Sequence, residues 1–166
     1  MKYLKLFEDF NQSLIDQLVS DTKMTAEKNG VKIIFEQTKT IPYFVGGSPV
    51  SGYFIDYGTP TLAVAMGKPV DEWVMVLAHE SSHMDQWIEK SSYWTNSFID
   101  GREAVDHIDE WCVGRDLTEE ELDNAVNRAR GVELDCERRT IVKAKEFQLP
   151  INVDEEIQKA NSYILF

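Results

Sequence analysis

Two histidines stand four positions apart in the pentapeptide His79-Glu80-Ser81-Ser82-His83. Residues four apart lie on the same face of a helix, so the two imidazoles can aim nitrogen atoms at one point. Zinc suits this pair, because two histidines leave room for a third ligand and for a water molecule. Glu80 is placed to take a proton from that water and to pass it to a leaving amine. The pattern predicts one zinc ion held by His79 and His83, with Glu80 as general base and acid.

The predicted zinc site needs a third protein ligand from another element. A helix predicted from Val132 to Phe147 has an apolar stripe, and Glu133 falls on that face. A carboxylate there is costly to bury unless it is paired or bound to metal, so Glu133 is a candidate ligand. The competing explanation places Glu133 in the first helical turn, where a negative charge is favourable without any metal. Glu103 is a second candidate, at an acceptable distance from the motif but without the same helical pattern.

The third histidine of the chain, His107, has three interpretations. It could be a third histidine ligand, or it could donate a hydrogen bond to the oxyanion that forms during attack on a carbonyl. The simplest expectation is a surface or helix-end histidine. Tyr93, Arg138 and Tyr163 are further candidates for the oxyanion donor.

The segment Val76-Leu77-Ala78-His79-Glu80-Ser81-Ser82-His83-Met84 resembles the signature of the zincin metallopeptidases. Glu133-Leu134-Asp135-Cys136-Glu137-Arg138 resembles the Glu-x-x-x-Asp helix of gluzincins, such as the M48-type and ImmA/IrrE-type peptidases. The resemblance implies a zinc metalloendopeptidase that hydrolyses protein or peptide substrates, with Glu133 as the third ligand. It also implies that Glu137 orients a histidine and that a strand edge near the cleft holds the substrate.

The chain departs from this pattern in three places. Asp85 stands where the signature usually has a hydrophobic residue, and Glu137 replaces the usual aspartate. The distance from His83 to Glu133 is long and includes an unassigned insert, residues 91–116. The opening residues 1–8 also resemble the start of many small proteins encoded by tailed phages. If the chain is phage-encoded, the expected compartment is the host cytoplasm.

The pattern of apolar residues and turn residues predicts a single α+β domain over residues 1–166, with a small mixed or antiparallel sheet. The resemblance implies that this domain has a zincin-like fold, with an active-site helix and a glutamate-bearing helix. The motif helix should begin with Asp71 as its cap and end near Lys90, and Thr118 should open a later helix through a capping box. Whether Gly131 breaks or bends that later helix is left open. The remaining predicted elements are a helix over 11–28, strands over 31–36, 52–57 and 61–66, the last two forming a hairpin, and a helix over 154–162.

Composition limits the classes of partner. The 166 residues include 17 basic and 29 acidic side chains, for a net charge of −12, which argues against binding to nucleic acid or to anionic membranes. Cys112 and Cys136 form no CxxC pair, and no signal peptide follows Met1, so we expect reduced thiols and a cytoplasmic protein.

Two other functions fit the motif. A zinc-bearing module could use a peptidase fold to bind a protein partner without turnover. Glu80-Ser81-Ser82-His83 is also a Glu-x-x-His unit, the repeat from which di-iron helical bundles are built. The chain has no second such unit, and the region rich in glycine and proline before the motif fits a bundle poorly.

Overall fold

A three-stranded mixed sheet lies at the centre of the fold, and helices pack against it. The computed structural model describes residues 2–42 and 48–158, with side chains from residue 12 onward. The elements are, in chain order, α1 (Lys2–Lys28), β1 (Lys32–Glu36), β2 (Ile41–Pro42), β3 (Pro49–Val50), β4 (Gly52–Ile55), β5 (Thr61–Ala65), α2 (Val70–Ile88), α3 (Ser92–Asn96), β6 (Phe98–Ile99), β7 (Arg102–Glu103), α4 (Ala104–Cys112) and α5 (Glu119–Glu146). The chain is an α+β protein, as its sequence predicts.

The sheet has the strand order β1-β5-β4. β5 is parallel to β1 and antiparallel to β4, so the predicted hairpin is confirmed. All five residues of β5 are buried, because this strand has a neighbour on each side and side chains packed on both faces. The outer edge of β4 has no strand partner within residues 2–42 and 48–158. Of the two hairpin strands, only β4 can therefore offer its edge to a bound peptide.

Helix α2 carries the histidine motif across one face of the sheet. Its Val74, Leu77 and Ala78 are fully buried in the main hydrophobic core, which also contains Leu62 and Leu18 from β5 and α1. Burial of a side chain such as Leu77 contributes about 2 kcal/mol, so this packing fixes the position of the motif firmly. α1 is longer than predicted, since it begins at Lys2 and not at residue 11.

The prediction that Asp71 caps α2 is wrong. The N-cap is Pro69, which has no side-chain hydrogen bond to the helix, and Asp71 lies inside the first turn together with Glu72. Proline fixes its own φ near the value needed at a helix start and lacks an N–H group, so it begins the helix without a polar cap. The two acidic residues still favour this end through the helix dipole.

α5 is one continuous helix through Gly131, so this glycine does not break it. It begins with the predicted capping box, in which Thr118 and Glu121 satisfy each other's backbone N–H groups. Glu133 therefore lies about four turns into the helix, so the explanation that placed it in a first turn is wrong. The buried stripe on α5 consists of Ala125, Val132, Cys136, Thr140 and Ala144.

The unassigned insert, residues 91–116, folds into α3, the two-stranded ribbon β6-β7 and α4. Ser91 caps α3 by accepting a hydrogen bond from the backbone N–H of Trp94. Arg128 of α5 anchors the insert, because its Nη1 donates hydrogen bonds to the carbonyl oxygens of Asn96 at 3.1 Å and Phe98 at 2.9 Å. The insert therefore lies beside the middle of α5, close to the motif helix.

The end of the described chain contains a short helix over residues 153–158. This agrees with the start of the helix predicted over 154–162, whose last residues, 159–162, lie outside the described part. Within the residues described, none of the helices combines the length and the apolar character needed to cross a membrane.

Candidate metal centre and active site

The two motif histidines face α5 and converge on one carboxylate. The Nε2 atom of His79 lies 3.8 Å from one oxygen of Glu133, and the Nε2 atom of His83 lies 3.6 Å from the other. The two imidazole rings are nearly perpendicular, with centroids 4.8 Å apart. Two ligands at tetrahedral positions about 2.1 Å from a zinc ion would be separated by about 3.4 Å. These three side chains therefore present donor atoms at close to the spacing that a shared cation requires.

The other nitrogen of each ring has its own partner. His79 Nδ1 lies 3.0 Å from Glu137 Oε1, and His83 Nδ1 lies 2.9 Å from Gln86 Oε1. When Nδ1 donates to an oxygen, the neutral ring presents the Nε2 lone pair, and its orientation is fixed. Glu137, which the resemblance predicts to orient a histidine, thus lies against His79.

Gln86 is a functional side chain that the sequence analysis missed. Its amide nitrogen donates to the carbonyl oxygen of Val132 and to a carboxylate oxygen of Asp135, at 3.0 and 2.8 Å. These two bonds leave the amide oxygen facing His83. Gln86 is fully buried and follows His83 by three residues on the helix. Its spacing from His83 is visible in the sequence, but its burial and its partners on α5 are not.

Cys136 provides an alternative third donor. Its sulfur and a nitrogen from each histidine lie within 4.8 Å of one another. The sulfur, however, lies 3.7 Å from the Nδ1 side of His79 and donates to the backbone carbonyl of the same residue at 3.4 Å. Burial raises the pKa of this thiol to about 11, which disfavours the thiolate that binds metal. Glu133 faces both Nε2 atoms and the open cavity, so it fits the third position better.

The charges around the histidines favour a cation. Burial lowers the pKa of His79, but hydrogen bonds to Cys136 and Glu137 outweigh it and bring the pKa to about 11. Burial likewise opposes the shift at His83, where contact with Glu133 raises the pKa to about 9. Burial raises the pKa of Glu133, yet the two histidines outweigh it and lower the net value. The pocket therefore holds positive charge strongly, as protons or as a divalent ion.

Zinc affinity should rise steeply with pH, because binding must displace the protons held on His79 and His83. The pKa values of His79 and His83 are about 11 and about 9, so both rings are protonated in the metal-free protein at pH values below about 9. Glu133 is already ionised there, because its pKa is lowered. Log Ka should therefore increase with a slope of about 2 between pH 6 and pH 8, and the slope should fall above pH 9. Competition with a chelator of known affinity measures it. His107→Gln should leave the slope unchanged, and a slope near zero would contradict the assignment of the ligands.

Glu80 lies on the side of α2 that faces β4 and the cavity. Burial raises the pKa of its carboxyl group, while the nearby histidines and a hydrogen bond from the backbone of Phe54 act in the opposite direction. A base whose pKa is moved towards neutrality is better matched to proton transfer at physiological pH. The carboxylate is thus fixed next to the histidines and does not take their ligand position.

Gly52 allows β4 to approach α2 at this point. A Cβ atom on this residue would lie 2.5 Å from Val76 Cγ1, 2.9 Å from the Ala63 carbonyl oxygen and 3.1 Å from Glu80 Cγ. Gly52→Ala should therefore lower the free energy of unfolding by about 1–3 kcal/mol and displace Glu80. Urea unfolding of the metal-free protein measures the loss.

Gly131→Ala is the matched control for that substitution. Its new Cβ would meet only Tyr93, at an ordinary contact distance of 3.6 Å. Alanine in a helix interior is favoured over glycine by about 1 kcal/mol, so this variant should be more stable than the original chain. Equal stability of the two alanine variants would show that β4 and α2 are not in close contact.

A cavity of about 760 Å³ opens in front of the histidines. β4 and α2 form one wall, and the insert and α5 form the other. The lining residues are Tyr53, Phe54, His79, Glu80, His83, Trp94, Ser97, Phe98, Glu103, Ala104, Val105, Ile108, Val126, Ala129, Arg130, Val132 and Glu133. The cavity is large enough for a peptide segment with one or two side chains.

Two other predicted residues lie apart from the ligand position. Glu103 lines the cavity, but the ion pairs of His79 and His83 within the described residues are with Glu133 and Glu137. His107 is not part of the cavity lining, and its Nε2 atom lies 3.4 Å from the Ile99 carbonyl oxygen. The structure thus gives His107 no contact with the histidine pair, and Tyr93 and Arg138 are also absent from the lining. Tyr163 lies outside the described residues.

Comparisons with protein-family models, with curated proteins and with solved structures all found no match. Its likeness to gluzincins therefore consists of the short motifs, and the function must be argued from the geometry of the site.

The structure explains the unusual Asp85 in the motif helix. The Asp85 carboxylate lies 2.7 Å from the ammonium of Lys143 on α5, which also donates to Ser81 Oγ at 2.8 Å. Both side chains are largely buried, at 28% and 17% exposure. The position that is usually hydrophobic therefore contributes an ion pair to the α2–α5 contact, and the departure does not disturb the histidines.

Proposed function

We propose that this protein is a zinc-dependent metallopeptidase of the gluzincin type, in which His79, His83 and Glu133 hold the metal. The observation that carries the proposal is the convergence of both Nε2 atoms on Glu133 while both Nδ1 atoms are fixed by other side chains. A zinc ion held there would supply a Lewis acid that activates water for attack on a peptide carbonyl.

The protein's own side chains transfer the proton and orient the histidines. Glu80 takes a proton as general base and then delivers it to the leaving amine as general acid. Glu137 and Gln86 keep the two imidazoles in the orientation that presents Nε2 to the cavity. The positions of Glu137 and Gln86 depend on the packing of α2 on α5, and that of Glu80 depends on the packing of α2 on β4.

The edge of β4 that faces away from β5 would hold the substrate. Tyr53 and Phe54 of this strand line the cavity, and the backbone of Phe54 hydrogen-bonds Glu80. An extended peptide that adds to this edge gains main-chain hydrogen bonds and runs past the histidine pair. The substrate is thus expected to be an unfolded or exposed segment of a protein.

Metal removal tests this function. We expect one zinc ion per chain by elemental analysis of protein purified without added metal. Cleavage of a random peptide library should stop after zinc is removed with 1,10-phenanthroline and return when Zn²⁺ is restored, whereas Ca²⁺ should fail because it prefers oxygen ligands. Two irons per chain would instead indicate the di-iron site, and cleavage unaffected by the chelator would exclude zinc catalysis. Bound zinc without cleavage of any peptide would favour a zinc-bearing binding module.

A further inference from the structure

An aromatic wall extends from the metal site into the insert. The ring of Trp94 lies 6.1 Å from that of His83 and 6.2 Å from that of Phe98, measured between centroids. Phe54 of β4 contacts Trp94 from the other side, at 5.7 Å. A continuous row of aromatic rings thus borders the cavity, beginning at the proposed zinc ligand His83 and ending at Phe98.

This wall ends at a carboxylate. Phe98 and Glu103 are directly paired across the β6-β7 ribbon, so their side chains leave the same face about 5 Å apart. Glu103 is the N-cap residue of α4, but its side chain does not cap that helix. Within the described part of the chain, no hydrogen bond or ion pair satisfies this carboxylate.

Negative charges outweigh the one nearby cation around Glu103. Burial raises the pKa of its carboxyl group, the charges of Asp106 and Asp56 raise it further, and only the charge of His83 acts in the opposite direction. Arg130 also lines the cavity, but it is solvent-exposed on α5 and does not figure among the charges acting most strongly on Glu103. An unpaired carboxylate that is partly removed from water has a free energy cost, which a bound cation would offset.

We infer that this part of the cavity binds a lysine or arginine side chain of the substrate, next to the bond that is cleaved. The aliphatic stem of such a side chain packs along Trp94 and Phe98, and its cationic end reaches Glu103. Aromatic faces favour a cation as well as a methylene chain, whereas a purely apolar side chain would leave the carboxylate unpaired. The inference rests on the proposed peptidase function and adds its substrate preference.

The test compares peptides that differ in one side chain. Acetylated, amidated peptides carry lysine, arginine, glutamine or norleucine on either side of a single cleavable bond and are otherwise uncharged. The zinc-loaded protein should cleave the lysine and arginine peptides with a kcat/KM at least about tenfold above that for norleucine. Glu103→Gln should abolish the preference by lowering kcat/KM for the lysine and arginine peptides, and it should leave the zinc content unchanged. Asp109→Asn, which removes an exposed carboxylate from the same helix, should keep the preference.

A binding measurement separates this inference from the peptidase proposal. The same peptides are titrated into zinc-loaded Glu80→Gln protein, with and without Glu103→Gln, and should show the lysine preference only when Glu103 is present. Selective binding with no hydrolysis by the original chain would support the pocket and exclude the peptidase. Norleucine preferred over lysine, or loss of zinc from Glu103→Gln, would overturn the inference.

Discussion

Glu80→Gln should retain one zinc ion per chain and lose peptide hydrolysis by about 100-fold or more. The amide has nearly the same shape as the carboxylate but cannot accept a proton, so only the proton-transfer step is removed. Because Glu80 faces β4 and not the ligand position, the metal content should not change. Zinc analysis and kcat/KM for one cleaved peptide, measured on the same preparation, check both halves of the result.

Glu72→Gln is the matched control for the loss of a carboxylate from α2. Glu72 lies in the first turn of the same helix with 54% of its side chain exposed, and its ion pair with Lys68 spans 3.8 Å. An exposed pair of this kind contributes little to stability, so hydrolysis should remain close to that of the original chain. If Glu80→Gln hydrolysed peptides as fast as this control, the general-base mechanism would be wrong.

Glu133→Ala should weaken zinc binding by at least about 100-fold, since loss of a ligand must cost as much as loss of an outer partner that only orients one. It should also remove hydrolysis at ordinary zinc concentrations. The effect arises because both Nε2 atoms lose the oxygen that faces them at 3.6 and 3.8 Å. Zinc dissociation constants measured by competition with a fluorescent chelator give the magnitude.

Cys136→Ala discriminates between the two candidate third donors. The thiol is fully buried and hydrogen-bonded to the His79 carbonyl, so its replacement should leave a small cavity and little change in zinc affinity. Tight zinc binding by Glu133→Ala together with weak binding by Cys136→Ala would assign the metal to the sulfur instead. A Co²⁺ absorption spectrum adds an independent criterion, because thiolate ligation gives an intense charge-transfer band in the near ultraviolet.

The histidine geometry was predictable from the sequence because it is local. His79 and His83 share one helical face wherever that helix lies, and the apolar residues around them, such as Leu77 and Met84, indicated the helix. Glu133 was predictable in part, since its carboxylate fell on an apolar stripe. The hairpin was also predictable, because Gly58 and Pro60 separate two segments rich in β-formers.

The features that were missed depend on contacts between distant parts of the chain. Gln86 acquires its role through the carbonyl of Val132, 46 residues later, and no local pattern indicates that pairing. The insert was not assigned because its strands have only two residues each, too few to give any alternation of polar and apolar side chains. The predicted cap of α2 was wrong because a polar residue near the start of a helix determines its first residue less strongly than a preceding proline does.

Arg128 and Glu133 project from one uninterrupted helix, five residues and about 7.5 Å apart along its axis. The first anchors the segment that supplies the aromatic wall, and the second faces the histidines. The backbone hydrogen bonds of α5 therefore fix the distance between the proposed recognition surface and the proposed metal site. A different segment in place of residues 91–116, held by the same hydrogen bonds to Arg128, would change the substrate side chain that the proposed cavity accepts. The proposed metal site would stay intact.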